Sequence, residues 1–287
     1  MRCAWQAYIN LLPHWMRQEV DRLGKDRLQE LRLRVGQAPE LVLQNSSKSI
    51  GGVVSQQDVD FVINVASEYS PWASSTVGQG YITAAGGHRI GVCGISTVED
   101  CRMRGISQAT SLCLRVARDF AGISGSAVNL TDSVLIIGPP GSGKTTLLRD
   151  LIRSKSTYEQ GSIAVVDERE ELFPLYKGQA CFMPGERTDI ISGCPKSDGI
   201  EAVLRSMNPH WIALDEITAR KDCEALLHAG WCGVKLLATA HAGSLEDFSR
   251  RPIYRPLIEN QLFTNVLILD RNKSWHMERI EQCFLKS

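Results

Sequence analysis

The stretch "VLIIGPPGSGKTTLLRDLI", residues 134–152, decides the reading of this chain. An apolar run, residues 134–137, meets Gly138, Pro139, Pro140, Gly141, Ser142 and Gly143, then Lys144, Thr145 and Thr146 ahead of an apolar-periodic segment. The spacing Gly138-x-x-x-x-Gly143-Lys144-Thr145 is that of a phosphate-binding loop, with a strand before it and a helix after it. Amides of Gly141, Ser142, Gly143 and Lys144 are expected to wrap a phosphate, which side chains at the glycines would block. The positive end of the following helix adds to the attraction. In such a loop the Lys144 ammonium reaches the β- and γ-phosphates, and the Thr145 hydroxyl ligates Mg²⁺. Residues 138–146 are therefore expected to bind ATP, with Mg²⁺ as cofactor.

Four further apolar runs, 163–166, 211–214, 234–238 and 266–269, alternate with helical stretches. Strands apolar on both faces between helices predict a parallel sheet covered on both sides, hence an α/β domain. Ligands of such sheets bind beyond the carboxyl ends of the strands. Asp167 and Glu168 follow the second run, Asp215 and Glu216 the third, Thr239 and His241 the fourth. Asp215 suits Mg²⁺ held through water, and Glu216 suits polarising the attacking water as general base. Glu168 is a second candidate at the same centre, and spacing alone leaves open which glutamate is the base. His241, beside Thr239, is expected to sense the γ-phosphate. Phosphoryl transfer also calls for an arginine, often from a neighbouring subunit. Arg115, Arg118, Arg89 and Arg205 are the candidates.

Residues 1–122 read as an α+β domain and 123–287 as the ATPase domain, with the small, polar stretch 123–133 at the boundary. Leu31, Leu33 and Val35 alternate with Arg32 and Arg34, the period of a half-buried strand. Val59, Val62, Ile63 and Ala66 share a helical face, with Ser55 as cap. Gly86-Gly87 predicts a hairpin turn between strands around Ile82 and Ile90. The basic segment "SRRPIYRP", residues 249–256, reads as a solvated loop.

Lys plus Arg equals Asp plus Glu at 32 each in 287 residues, so no global field draws the chain to nucleic acid or anionic membrane. A hydrophobic content of 43% is that of a globular protein, and no apolar run approaches the roughly 20 residues of a membrane helix. The N-terminal segment lacks a continuous apolar stretch, so an unexported, cytoplasmic protein is expected. The nine cysteines are scattered with no C-x-x-C pair, which fits reduced thiols rather than zinc ligands or a disulfide framework.

The order phosphate loop, "VVDERE", "LRSMNPHWIALDE", "ATAHAGS" resembles the secretion-system and pilus-assembly ATPases, with their Walker A, Asp-box, Walker B and His-box elements. Together with "LRLRVGQAPEL" and "GYITAAGGHRIGVCG", these segments resemble more closely the stage III AA sporulation family of endospore-forming bacteria, over nearly the whole chain. The resemblance implies a RecA-like P-loop ATPase core behind a smaller N-terminal domain. It implies a ring, a hexamer by analogy, on the cytoplasmic side of a membrane in the mother cell, docked on membrane proteins of a sporulation channel. Hydrolysis would energise assembly of that channel or transport through it. Carried over, Glu168 corresponds to the acidic-box glutamate, Glu216 to the Walker B glutamate and His241 to the His-box histidine. Arg115, in "CLRVAR", resembles the arginine that the N-terminal domain brings to a neighbouring site. "LDEITAR" departs from many secretion ATPases by placing Asp before Glu where they have Gly.

Two other readings compete. A RecA-like ATPase acting on single-stranded nucleic acid needs a basic groove with exposed aromatics, which zero net charge and 7% aromatic content do not favour. A scaffold that binds ATP without hydrolysing it has no use for acids after two strands.

Overall fold

Alternation and capping build the N-terminal part of the computed structural model, which describes residues 1–68, 80–99, 102–158 and 161–280. The chain divides into two units, Met1–Asp119 with Pro174–Phe182, and Phe120–Phe173 with the chain from Met183 onward. The first unit opens with α1 (Trp5–Asn10) and α2 (His14–Leu23), then β1 (Leu28–Arg34), β2 (Glu40–Leu43), β3 (Ser47–Ser49), α3 (Gln56–Ala66), β4 (Tyr81–Ala84), β5 (His88–Glu99) and β6 (Arg102–Arg115). The strands form an antiparallel sheet in the order β3-β2-β1-β6-β5-β4. Leu31 and Leu33 point into its core, as the alternation predicts. Val35 does not: β1 stops at Arg34, the chain turns, and Val35 is left 39% exposed. Ser55 caps α3 in a reciprocal box, accepting from the Asp58 amide while the Asp58 carboxylate accepts from the Ser55 amide. Ile82 pairs with Ile90 across the turn at Ala85–Gly87.

The second unit supplies β7 (Val134–Gly138), α4 (Lys144–Tyr158) and β8 (Ile163–Asp167). A short hairpin follows, β9 (Leu175–Tyr176) and β10 (Gln179–Ala180), then β11 (Thr188–Ser192), α5 (Lys196–Ser206), β12 (Trp211–Leu214) and α6 (Arg220–Trp231). The chain continues through β13 (Lys235–His241), α7 (Leu245–Arg250), α8 (Arg255–Glu259), β14 (Asn265–Leu269) and β15 (Trp275–Arg279). Seven strands form one sheet, β11-β8-β12-β13-β7-β14-β15, parallel except for the antiparallel edge strand β15. β7, β8, β12 and β14 are buried along their whole length, the signature of a sheet covered on both faces. This is the expected α/β class. Among the described residues no helix is long and apolar enough to cross a membrane.

The structure corrects several expectations. The fourth apolar run is not over at Ala238. Parallel pairing with β7 carries β13 on to His241, which stands opposite Gly138, so Thr239 and His241 lie in the strand rather than after it. The stretch 123–133 is not a free linker. The amides of Gly122 and Ser124 donate to the Asp150 carboxylate, and the buried Lys155 ammonium donates to the carbonyls of Val128 and Leu130. The division accordingly falls between Asp119 and Phe120 rather than at 122/123. It is also not a single cut, because the β9–β10 hairpin belongs to the first unit. There Lys177 pairs with Glu68 at 2.9 Å, Tyr176 also bonds Glu68, and a methyl group at Gly87 would come within 3.1 Å of Cys181. Residues 249–256 are solvated only in part: Arg250, Arg251, Pro252 and Arg255 are exposed, but Arg250 ends α7, and Tyr254 is buried, stacked on Phe248 with its hydroxyl on the Ile217 carbonyl.

Candidate active site

The loop between β7 and α4 is shaped by its glycines. A Cβ at Gly138 would lie 2.7 Å from the Ser142 hydroxyl and 2.8 Å from the Leu269 carbonyl, so no larger residue fits. Gly143 has φ of +101°, a backbone that side chains rarely adopt. α4 begins at Lys144, so its N-terminal amides open into the loop. The Ser142 hydroxyl is buried without a hydrogen-bond partner among the described residues. A buried polar atom of this kind calls for a partner from outside the chain.

A cavity of about 550 Å³ opens beside the loop. Pro140, Gly141, Ser142, Gly143, Lys144, Thr145 and Thr146 line it together with Asp215, Glu216, Thr239 and His241. Phe120, Ile123, Leu269 and Trp275 add apolar lining.

Lys144 is 7% exposed, and burial lowers its pKa, with Asp215 and Glu216 opposing that shift. Its three donors are all engaged: the Gly138 carbonyl at 2.8 Å, the Pro139 carbonyl at 3.0 Å and Nδ1 of His241 at 3.0 Å. An ammonium only donates, so Nδ1 accepts and the imidazole carries its hydrogen on Nε2. That nitrogen stands 2.9 Å from Oε1 of Glu216. Lysine, histidine and glutamate thus form one hydrogen-bonded chain, assembled because β13 runs parallel to β7 up to His241.

Asp215 is fixed by two hydroxyls. Thr145 Oγ1 donates to Oδ2 at 2.6 Å, and Thr239 Oγ1 donates to Oδ1 at 2.5 Å. Thr239 Oγ1 in turn accepts the Glu216 amide at 2.8 Å. Glu216 has φ of +55°, a left-handed backbone that costs a non-glycine residue free energy and recurs at functional sites. The oxygen donors of Thr145 and Asp215 fit Mg²⁺, which takes one or two protein ligands and completes its shell with water and phosphate.

Other sequence candidates are placed differently. Asp167 anchors the turn after β8. Its carboxylate is buried, which raises its pKa, and it accepts the amides of Glu171, Leu172 and Phe173 at 2.8–3.0 Å, which opposes the rise. Glu168 does not line the main cavity. It pairs with Lys196 in a narrower cleft that also touches Asp215 and Glu216. Arg115 lies on β6 of the N-terminal unit, 61% exposed and paired with Glu30 at 3.2 Å. Arg118 ties the Lys25 and Leu28 carbonyls, Arg89 covers the Tyr81 ring, and Arg205 pairs with Glu201. Sequence reasoning missed Lys196, the bridging role of Thr239, and the aromatic lining by Phe120 and Trp275. Only Lys196 left a signal, as a lysine where a helix starts.

A phosphate loop opening a helix from β7, with acids at the tips of neighbouring parallel strands, defines a RecA-like P-loop core. Solved structures share the fold at low identity. The pilus retraction motor PilT with bound ADP superposes with a TM-score of 0.62 at 14% identity, covering 88% of this chain and 76% of that one. The Legionella pneumophila ATPase DotB superposes with a TM-score of 0.58 at 16% identity, over 93% and 80%. The chain belongs to the family of sporulation stage III, protein AA, whose model matches residues 6–280. Stage III sporulation protein AA of Bacillus subtilis (strain 168) is 32% identical over 276 residues, which span 92% of this chain and 90% of that protein.

Proposed function

We propose that this chain is a Mg²⁺-dependent ATPase that works as an oligomeric motor of the secretion-ATPase type, energising a membrane channel complex during endospore formation. The observation that carries the reading is the 2.6 Å hydrogen bond from Thr145 of the phosphate loop to Asp215 at the tip of β12. It joins the phosphate-binding and metal-binding elements at one point. The family supports the sporulation context, and the fold supports the motor class.

In this reading ATP lies along the cavity, its base against Phe120 and Trp275 and its phosphates in the loop. Thr145 and Asp215 would hold Mg²⁺, which when bound would supply positive charge to the phosphates. The γ-phosphate competes with His241 for Lys144. Glu216 accepts the proton of the attacking water, and His241 Nε2–H orients the Glu216 carboxylate from behind. The Thr239 hydroxyl keeps Asp215 and the Glu216 backbone in register. One site per chain does mechanical work only when its state is felt by another body, so a ring with an arginine supplied in trans, Arg115 being the family's candidate, completes the proposal. The proposed ring works in the cytoplasm at a membrane face, reached through protein partners; the zero net charge supports protein partners over nucleic acid.

Mass measurement of the full chain with Mg²⁺ and a non-hydrolysable ATP analogue tests the assembly. A ring-sized species that disappears without nucleotide is expected. A monomer at all concentrations overturns the motor.

A further inference from the structure

We infer that Lys196 is a positioning residue of this centre: it holds the Glu168 carboxylate at the cleft which that residue shares with Asp215 and Glu216. The inference rests on the hydrolase reading above.

The placement of Lys196 breaks two local rules. It is the first residue of α5, directly after Pro195, so its ammonium stands at the positive end of a helix, where a cation is disfavoured. Its side chain is nevertheless only 5% exposed. Taking an ammonium out of water is costly unless an anion meets it. Glu168 is that anion, Nζ bonding Oε2. A residue kept against both rules marks a position held for something other than helix stability.

The direction of the pair identifies what it serves. β8 and β12 are parallel neighbours with Val166 opposite Leu214, and Glu168 and Glu216 each follow two residues after that pair. Glu168, Lys196, Asp215 and Glu216 line one cleft of about 10 Å³, room for about a single water. Glu168 is the accessible partner at 37% exposed, and the lysine is the buried one. A glutamate has three rotatable bonds and swings freely when untethered. The ion pair removes that freedom before any substrate arrives, and with Arg169 it brings positive charge to a cleft lined by five carboxylates, Asp167, Glu168, Glu171, Asp215 and Glu216. Lys196 does not line the main cavity, and its ion-pair partner is Glu168, so the inference assigns its effect to that carboxylate.

Phosphate release and analogue affinity of the full chain test this in wild type, K196M, K196R, E168Q and the double variant E168Q/K196M. K196M is expected to lower kcat by about ten-fold or more at saturating Mg-ATP, with analogue Kd unchanged, because misplacement near the chemistry costs rate rather than binding. K196R restores part of the rate, and the double variant is no slower than E168Q alone, since a residue acting through another is not additive with it. Melting midpoints show which variants fold; where K196M does not, K196Q replaces it with the same outcomes. A K196M rate within about two-fold of wild type, effects that multiply in the double variant, or a Kd that rises as kcat falls each overturn the role of Lys196. A wild-type chain that releases no phosphate overturns the hydrolase reading instead.

Discussion

Lys144 and Glu216 share one imidazole: His241 accepts from the lysine at 3.0 Å and donates to the glutamate at 2.9 Å. In the proposed mechanism the group that would grip the γ-phosphate and the group that would activate water are therefore mechanically linked before nucleotide arrives. Whatever pulls Lys144 toward a phosphate loosens one side of the bridge and leaves the Nε2–H contact to Glu216. His241 thus connects Lys144 to Glu216.

Removing the bridge separates binding from turnover. H241A is expected to bind Mg-ATP at least as tightly as wild type, because one competitor for the Lys144 ammonium is gone. Its kcat is expected to fall by about 10- to 100-fold as Glu216 loses its orienting donor. Titration calorimetry and phosphate release measure the two quantities. A matched loss of both contradicts the connector role.

Asp167 holds the turn after β8 through three amides. D167A leaves these donors without their acceptor in a region where Leu172 and Phe173 are fully buried. Each stranded buried donor costs about 1–3 kcal/mol, so a loss of about 3 kcal/mol or more is expected in urea unfolding. A loss below about 1 kcal/mol contradicts the structural role assigned to it.

Phe120 and Trp275 give the cavity aromatic lining against which the proposed nucleotide base would stack. W275A is expected to weaken nucleotide binding by about 1–3 kcal/mol, the range seen when a base-stacking aromatic is removed. Tripolyphosphate, which has no base, should bind W275A and wild type alike. Differential binding of the nucleotide alone ties the effect to the base.

His88 provides a pH signature of the N-terminal unit. Its ring is buried, with Nδ1 accepting from the Ala117 amide and Nε2 donating to the Ala4 carbonyl, both at 3.0 Å. Burial lowers its pKa, overriding the hydrogen bonds that favour the charged form. The unfolded imidazole takes up its proton near pH 6.5, the folded one only below that. Between the two values the unfolded state binds more protons, so stability falls as pH falls, by at most about 1.4 kcal/mol per pH unit, and is unaffected by this group well above 6.5. Thermal melts from about pH 7.5 down to about pH 5.5 should show the decline in wild type and a flatter profile in H88Q. Superimposable profiles contradict a neutral, buried His88.

The core of the site was legible because its spacing is local. Gly138 to Thr145, and Asp215 beside Glu216, are set by a few consecutive residues at the ends of apolar runs, and the structure brings Lys144, Thr145, Asp215, Glu216 and His241 to one cavity. The strand end at His241 was misread because it is fixed by pairing with β7, which composition does not record. Lys196 meets Glu168 across 28 positions, and Trp275 joins Phe120 from an edge strand, so neither leaves a local period to read. The β9–β10 hairpin was invisible for the same reason: its partners are Glu68 and Gly87, about a hundred residues earlier.

The most direct test of the hydrolytic centre is phosphate release from Mg-ATP by wild type and E216Q at saturating nucleotide, with analogue Kd measured on both. The account predicts steady release by wild type and a fall of about 100-fold or more in E216Q at unchanged Kd. Equal release by the two proteins would contradict it.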